Sequence, residues 1–375
     1  MSTALPRRLP RTVAPAHREV VASYLARLAT LNHLDGDELW KRASIPGPTP
    51  ARRIVTAERM AALTGREAEH LAGALPELRT STTHWPLFRH TPQRGCVRCD
   101  ARHQGGQVWR ILPHHRYVCT RHQYWIGPPD GADCGPSLEH CPEIAAAQRQ
   151  HLRLIQRFGW AETYDAVLTA FMICAQRWDH NDPTIGLALQ RAIWAARSHI
   201  FIPAGTEPTS FTISKLFACL YPEAIGLAPV IAAPEWRRLA AGDDNQLARF
   251  LTEVRRRLRD SDYEPHAEQD AIAHWIEADC WREPASPPKT FHTMPGNRKP
   301  SQIHRATLRS DERNGRSAAW FMVKNRRGAG NAVLHHLTLH PVIVREWSPA
   351  MQEFRGSIWQ SQRTVTRFRQ PQSAN

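Results

Sequence analysis

The chain has 375 residues, of which 42% are hydrophobic and 22% are charged. This composition is typical of a globular protein and excludes a chain that is disordered throughout. The length predicts about two or three domains. Apolar runs stay well below the ~18 residues of a membrane helix, and the basic N-terminus lacks the apolar segment of a signal peptide. We therefore expect a cytoplasmic protein with no membrane partner, associated with the nucleoid when it binds DNA.

The sequence carries 49 Lys and Arg against 35 Asp and Glu, a formal net charge of +14. Such an excess favours a polyanionic partner, with nucleic acid first; a solvated arginine-rich surface is the alternative. Residues 290–375 hold 14 basic and 4 acidic side chains, and therefore most of the excess. We predict that DNA phosphates are contacted from this segment, by Arg298, Lys299, Arg305, Arg309, Lys324, Arg326 and Arg327.

Helical patterns fill the N-terminal part of the chain. Apolar residues recur at helical spacing over 20–31, and Asp35 and Thr56 are suitable N-caps for the next two helices. The third helix, 57–63, is followed by Gly65 and a fourth helix over 66–75. The last pair resembles a helix-turn-helix that reads DNA, but simple packing of two short helices gives the same pattern.

A metal-site pattern follows, in which two close pairs of ligands are separated by 19 residues. A tight turn aims both side chains of a pair at one point, and two such turns supply four ligands. Thiolate and imidazole favour zinc, and four protein ligands leave no open coordination position. The sequence therefore predicts one structural Zn²⁺ held by Cys96, Cys99, Cys119 and His122.

Other residues near this pattern leave alternatives open. His103, His114 or His115 could replace one of the four ligands. A second metal site could use Cys134, His140 and Cys141, although no second close pair accompanies them. Two short β-like runs, Val108–Leu112 and Tyr117–Cys119, are predicted to pair as a hairpin between the cysteine turns, with Trp109 and Trp125 shielding the metal.

The predicted fold class is mainly α. It combines a helical N-terminal domain with helix-turn-helix-like helices, a small β-hairpin module similar to a zinc ribbon, and a helical C-terminal region. Candidate helices of that last region are 143–158, 161–178, 184–198, 210–220, 246–260 and 267–281. The predicted domains are 1–85 (helical), 86–142 (zinc module), 143–282 (helical), 283–318 (a proline-rich basic linker) and 319–375 (a basic aromatic segment).

Motifs for catalysis are missing from the sequence. It has no phosphate-binding loop, no His-Glu-x2-His and no Gly-x-Ser-x-Gly elbow. We therefore expect a protein that is not an enzyme. A zinc-dependent hydrolase or nuclease is the alternative, and it would need an open metal position beside a general base.

A series of short motifs resembles the TniQ family, transposition accessory proteins that include TnsD. The first half of the series is Leu9-Pro10, Glu19 and Ser23-Tyr24-Leu25-Ala26-Arg27-Leu28-Ala29; the second is Cys96-x2-Cys99, Trp109-Arg110 and Cys119-x2-His122 followed by Ile126. The resemblance covers roughly residues 9–159. Many members continue with Cys-Pro-x-Cys, where this chain has Gly127–Gly131.

The resemblance implies a non-catalytic adaptor that selects target DNA and recruits an AAA+ ATPase and, through it, a transposase. A zinc-containing transcription regulator unrelated to transposition is the alternative; it predicts a defined operator and no ATPase partner. Whether the chain forms a homodimer is left open by the sequence.

Overall fold

The chain is mainly α, as predicted. In the part that the structure describes, 60% of the residues are helical and 8% lie in strands. The residues form two compact units, one within Met1–Gly135 and the other within Pro136–Pro288. The computed structural model describes residues 4–47, 53–79, 92–113, 115–127, 135–179, 188–201, 213–265 and 271–278.

The first unit begins with short helices whose ends follow the predicted capping residues. The carboxylate of Asp35 accepts from the Glu38 amide at 2.7 Å, and the Thr56 hydroxyl accepts from the Arg59 amide at 3.3 Å. Gly65 ends the third helix with a φ of 66°. These caps are confirmed. The helices are α1 (Val21–Asn32), α2 (Gly36–Ala43), α3 (Ala57–Thr64), α4 (Ala68–Ala74) and the one-turn α5 (Val97–Asp100), with a 3-10 turn at Pro76–Leu78.

Three antiparallel pairs of very short strands accompany these helices in the described part of the first unit. The predicted pairing of Val108–Leu112 with Tyr117–Cys119 is wrong: each run pairs with a strand on the far side of its own cysteine turn. A close ligand pair thus lies at or next to the turn of each hairpin, and the two predicted runs do not pair with each other. The pairs are β1 (Ser44–Pro46) with β2 (Arg53–Val55), β3 (Gln93–Arg94) with β4 (Trp109–Arg110), and β5 (Val118–Cys119) with β6 (Tyr124–Trp125).

The core of the first unit joins the helices to the hairpin of β4. Helix α1 contributes the fully buried Leu25 and Leu28, and its N-cap Val20 is also fully buried. The same apolar cluster includes Trp109 and Ile111. Trp109 therefore packs into the helical core. The sequence predicted a different role for it, that of shielding the metal ligands. Burial of this continuous apolar surface fixes the cysteine-bearing hairpin on α1.

The loop before β4 approaches the backbone of α1 so closely that it requires glycine. A Cβ on Gly105 would lie 2.6 Å from the Arg27 carbonyl oxygen and 3.0 Å from the Leu31 side chain, and its φ is 90°. Neighbouring Gly106 has a φ of 121° but nothing within 4 Å of such a Cβ.

We expect Gly105→Ala to destabilise the first unit by about 2–3 kcal/mol, because backbone strain and repulsion against α1 act together. Gly106→Ala is the matched control, since it introduces strain alone. Urea denaturation, monitored by hydrogen exchange of α1 amides, measures the free energy of unfolding of both variants. Equal losses of stability in the two variants would contradict a close approach at Gly105.

The second unit is a bundle of helices built on a long apolar helix, α9. The sequence predicted that this helix ends at Leu220, but it continues through Pro222 and Pro229 to Ala232. A proline inside a helix costs about 3 kcal/mol, and the burial of the apolar side chains between the two prolines opposes this cost: Ala224, Ile225, Leu227 and Ala228. The helices are α6 (Pro142–Phe158), α7 (Trp160–Asp179), α8 (Ala188–Phe201), α9 (Ile213–Ala232), α10 (Pro234–Ala241), α11 (Asp244–Leu258) and α12 (Ala271–Ala278).

Buried polar side chains tie these helices together. Arg197 of α8 pairs with Glu143 at 2.9 Å and Glu223 at 2.7 Å, and it donates to the Cys219 carbonyl oxygen. Among the helices that the structure describes, none alone is long and apolar enough to cross a membrane. A pair bent by 74°, Phe217–Ala232 with Pro234–Ala241, reaches that length and composition together.

Candidate metal centre and adjoining basic pocket

The four predicted ligands converge, with their donor atoms all within 4.8 Å of one another. The Nδ1 atom of His122 lies 3.4, 3.2 and 3.8 Å from the sulfurs of Cys96, Cys99 and Cys119, and the last two sulfurs are 3.8 Å apart. A tetrahedral zinc site with ordinary bond lengths has S···S edges of about 3.8 Å and S···N edges of about 3.6 Å. The four side chains thus fit one tetrahedral metal ion.

Each pair of ligands is positioned by a tight local turn. Cys96 is the N-cap of α5, and its carbonyl accepts from the Asp100 amide at 2.9 Å, which brings Cys99 back onto the same side. The second turn closes when the Gln123 amide donates to the Cys119 carbonyl at 2.7 Å. Gln123 has a φ of 54°, so the turn uses the left-handed region just after His122.

The sulfur atoms also interact with one another. A hydrogen bond from Cys96 lowers the pKa of the Cys119 thiol to about 4 and, together with burial, raises the pKa of Cys96. The thiolate is the form that binds metal, and the lowered pKa of Cys119 favours that form. Cys96 is buried, and the other three ligands are half-buried.

A buried polar network joins the metal module to α1. The Glu19 carboxylate receives an Arg27 guanidinium N–H at 2.7 Å and the Ser23 hydroxyl at 2.9 Å. Arg27 also donates a hydrogen bond to the Gln104 carbonyl at 2.9 Å. The Ser23 hydroxyl oxygen accepts a hydrogen bond from the Trp109 amide at 3.0 Å. The spacing of four residues places these side chains on one side of α1: Glu19, which lies just before the helix, Ser23 and Arg27.

A second buried ion pair lies next to the ligands. The Arg110 guanidinium contacts the Asp100 carboxylate and also donates to the His17 carbonyl at 3.2 Å. The chain before α1 runs alongside β4, because Val20 donates to the Trp109 carbonyl and Ile111 donates to the Arg18 carbonyl. These contacts hold the turn that carries Cys99 against the segment that leads into α1.

The first turn of α1 is capped by a side chain from far along the sequence. Glu77 Oε2 accepts from the Val21 amide at 3.0 Å, while its Oε1 is buried without a hydrogen-bond partner. Burial, reinforced by the nearby Glu19 carboxylate and opposed by the Val21 hydrogen bond, raises the pKa of Glu77 to about 8. Glu77 therefore holds a proton at neutral pH.

A raised pKa in the folded state makes the first unit less stable as pH rises. Above pH 4.5 an unfolded Glu77 has lost its proton while the folded one retains it, so stability falls until about pH 8. We expect a loss of up to about 1.4 kcal/mol per pH unit, which Glu77→Gln removes because the amide does not ionise. Urea denaturation of both proteins from pH 5 to pH 8 tests this; parallel curves would contradict it.

A cavity of about 270 Å³ adjoins the metal ligands, and we refer to it as the basic pocket. Cys96, Cys99 and Cys119 form part of its wall. Burial and then the charges of the surrounding arginines lower the pKa of both His17 and Arg18, as a concentration of positive charge would. Five arginines and one histidine line it: Arg18, Arg102, Arg110, Arg116, Arg121 and His17.

Sequence reasoning missed the basic pocket because it assigned the positive charge to the C-terminal segment. A signal was present, since residues 93–127 hold six arginines and a single acidic residue, Asp100. His17 and Arg110 are 93 residues apart in the chain. Only the pairing of the N-terminal segment with β4 reveals that they share a wall.

Other residues that were predicted to bind metal or DNA either lie apart from the four ligands or fall outside the described residues. Neither His103 nor His115 belongs to the converging metal group found in the part of the chain that the structure describes. His114 and Cys134 lie outside that part, as do 283–318, 319–375 and all the residues predicted to contact DNA: Arg298, Lys299, Arg305, Arg309, Lys324, Arg326 and Arg327. Of the proposed second site, Cys141 is buried in the second unit, and burial raises its pKa to about 11.

The helix-turn-helix-like pair presents the wrong charge for DNA along its second helix. Helix α4 has seven residues, and its exposed side chains include Glu69 and His70, with Glu67 exposed at its N-cap. Carboxylates facing a phosphate backbone repel it. The charge of α4 thus gives no support to the reading of DNA by this pair, which stays a prediction.

Thus the candidate site combines a tetrahedral Cys3His metal group, a buried polar network that joins it to α1, and an arginine-lined cavity. Comparison of the chain with protein-family models, with curated proteins and with solved structures finds no match.

Proposed function

We propose that this chain is a non-catalytic accessory protein of DNA transposition, similar to the TniQ family, which selects target DNA and recruits an AAA+ ATPase and a transposase. The observation that carries the proposal is the placement of the residues on which the resemblance rests. Hydrogen bonds join Glu19, Ser23, Arg27 and Trp109. Arg110 forms an antiparallel bridge with Glu19 and pairs with Asp100, the residue that follows Cys99. Motif residues that meet in space support a shared architecture better than a pattern in sequence alone.

We further propose that the metal is zinc and that its role is structural. Three thiolates and one imidazole are a donor set that zinc prefers. Because four protein ligands fill a tetrahedron, a metal-bound water has no position, and the centre would organise the hairpins rather than activate a substrate. Partner proteins would then supply ATP hydrolysis and strand transfer.

The test uses the purified, zinc-loaded full chain together with the AAA+ ATPase encoded nearest to it in its genome. The proposal predicts that the chain binds DNA and that the ATPase is retained on DNA only when the chain is present. Size-exclusion chromatography and filter binding with each component omitted would measure this retention. Binding to one operator with no effect on any ATPase would instead indicate a transcription regulator and contradict the proposal.

A further inference from the structure

We propose that DNA lies against the exposed face of α6 in the second unit, where arginines contact its phosphate groups. The choice of DNA as the nucleic acid rests on the proposed function; the preference for a phosphate backbone rests on the chemistry of the face. The sequence placed the DNA contacts in residues 290–375, so this inference adds a separate contact site on another part of the chain.

The exposed side of α6 carries a row of arginines. Arg149, Arg153 and Arg157 are spaced four residues apart and are all exposed, so they lie on one side of the helix. At 1.5 Å per residue, the row is about 12 Å long. We call the exposed residues of this helix the α6 face: Pro142, Ala146, Arg149, Arg153, Gln156 and Arg157.

Two arginines of the α6 face are available to an outside anion. Among the residues that the structure describes, none forms a hydrogen bond or an ion pair with the side chain of Arg149 or Arg153. Arg157 lies 3.5 Å from Glu235 of α10, and the two side chains are 66% and 52% exposed. So exposed a pair contributes little stability, and a phosphate can take the place of the carboxylate.

The α6 face has little negative charge close to it. No Asp or Glu occurs between Glu143 and Glu162, and these two carboxylates form ion pairs, at 2.9 Å with Arg197 and at 2.8 Å with Arg237. Residues 136–288 as a whole hold 15 basic and 20 acidic side chains, a net charge of −5. The row of arginines is therefore a local feature of an acidic unit. Because salt at about 0.1 M screens exposed charges beyond about 10 Å, an anion on this face responds mainly to the arginines.

The chemistry of the α6 face favours a phosphate backbone over a protein or a lipid surface. Protein interfaces have an apolar and aromatic centre, and a helix that lies on a membrane inserts apolar side chains. In the described part of the chain, the exposed large hydrophobic residues all belong to the first unit: Leu5, Leu34 and Ile45. The α6 face instead offers guanidinium forks, which match phosphate oxygens, and the Gln156 amide, a further donor of the kind that contacts phosphates.

The experiment compares DNA binding by the zinc-loaded full chain and by the double variant Arg149→Gln/Arg153→Gln. Fluorescence anisotropy with a duplex of random sequence is recorded between about 50 mM and about 200 mM salt. We expect the slope of log affinity against log salt to become shallower by about 2, as for two lost phosphate contacts. The affinity at the lowest salt should fall by about tenfold or more.

Two further variants separate a contact with DNA from a general loss of charge. Arg249→Gln/Arg259→Gln removes the same charge from exposed positions on α11 and at its C-cap, and it should leave the slope unchanged. Arg149→Lys/Arg153→Lys keeps the charge but loses the planar fork, so its slope should stay native while its affinity falls less than in the glutamine variant. Urea denaturation checks that each variant is folded.

Equal losses in the α6 and α11 glutamine variants would overturn the proposal, and so would a lysine variant with as shallow a slope as the glutamine variant. If the native chain binds the duplex and Arg149→Gln/Arg153→Gln binds it equally well, this inference fails while the proposed function stands. A native chain that binds no duplex at any of these salt concentrations contradicts the proposed function and this inference together. A variant that keeps its DNA affinity but no longer retains the ATPase would identify the α6 face as a docking site for an acidic protein segment, and would overturn the assignment to DNA.

Discussion

Replacement of Cys99 by serine is expected to abolish metal binding and to unfold the hairpin of β5 and β6. Cys99 lies 3.2 Å from His122 and 3.8 Å from Cys119, so it links the two turns of the centre. Strands of two residues each supply little free energy by themselves, whereas a structural zinc ion contributes about 10–16 kcal/mol to folding in zinc-finger peptides. Elemental analysis gives the metal content, and hydrogen exchange reports on the hairpin.

Helix α1 and strand β4 should keep much of their protection in this variant, because Trp109 and Ile111 remain in the helical core. Cys141→Ser is the control: it removes a buried cysteine at the start of α6 and should leave both the metal content and exchange at β5 unchanged. A Cys99→Ser protein with full metal content, or with a protected Val118–Trp125 hairpin, would show that these four residues do not hold the ion. The same elemental analysis identifies the metal.

The features of this chain that could be predicted from sequence are those decided by neighbouring residues. The four ligands were found because each pair lies within one turn, so spacing alone places two side chains together. The caps Asp35 and Thr56 were found for the same reason, since a cap bonds an amide three residues on. Such features require no knowledge of the rest of the fold.

Features that depend on distant residues were missed or misjudged. The expected hairpin is absent because β4 pairs with β3 and with the segment before α1, a choice that the local pattern does not express. Helix α9 passes two prolines because its neighbours bury it from several sides. The basic pocket likewise exists only after His17 and Arg18 come to lie beside β4.

Arg27→Ala is expected to destabilise the first unit by about 3–5 kcal/mol, the usual cost of leaving one partner of a buried ion pair behind. Arg27 and Glu19 have side chains that are only 1% and 0% exposed. The substitution also removes the donor to the Gln104 carbonyl and so loosens the loop before β4. Arg42→Ala is the control: its pair with Glu38 is more than half exposed, so we expect about 1 kcal/mol or less.

The pH dependence of this loss of stability shows whether its cause is an unpaired buried Glu19 carboxylate or the loss of packing. Burial already raises the pKa of Glu19, and the charge of Arg27 is the main influence that opposes the rise. Without Arg27 the pKa of Glu19 should rise further, and a carboxyl with a raised folded pKa costs less stability where it is protonated. The deficit of Arg27→Ala should therefore be smaller near pH 5 than near pH 8 in urea denaturation. The double variant Glu19→Gln/Arg27→Met leaves no charge at this buried pair, so its loss of stability should not depend on pH in this way. If the loss of stability in Arg27→Ala is constant with pH, the substitution removed packing alone.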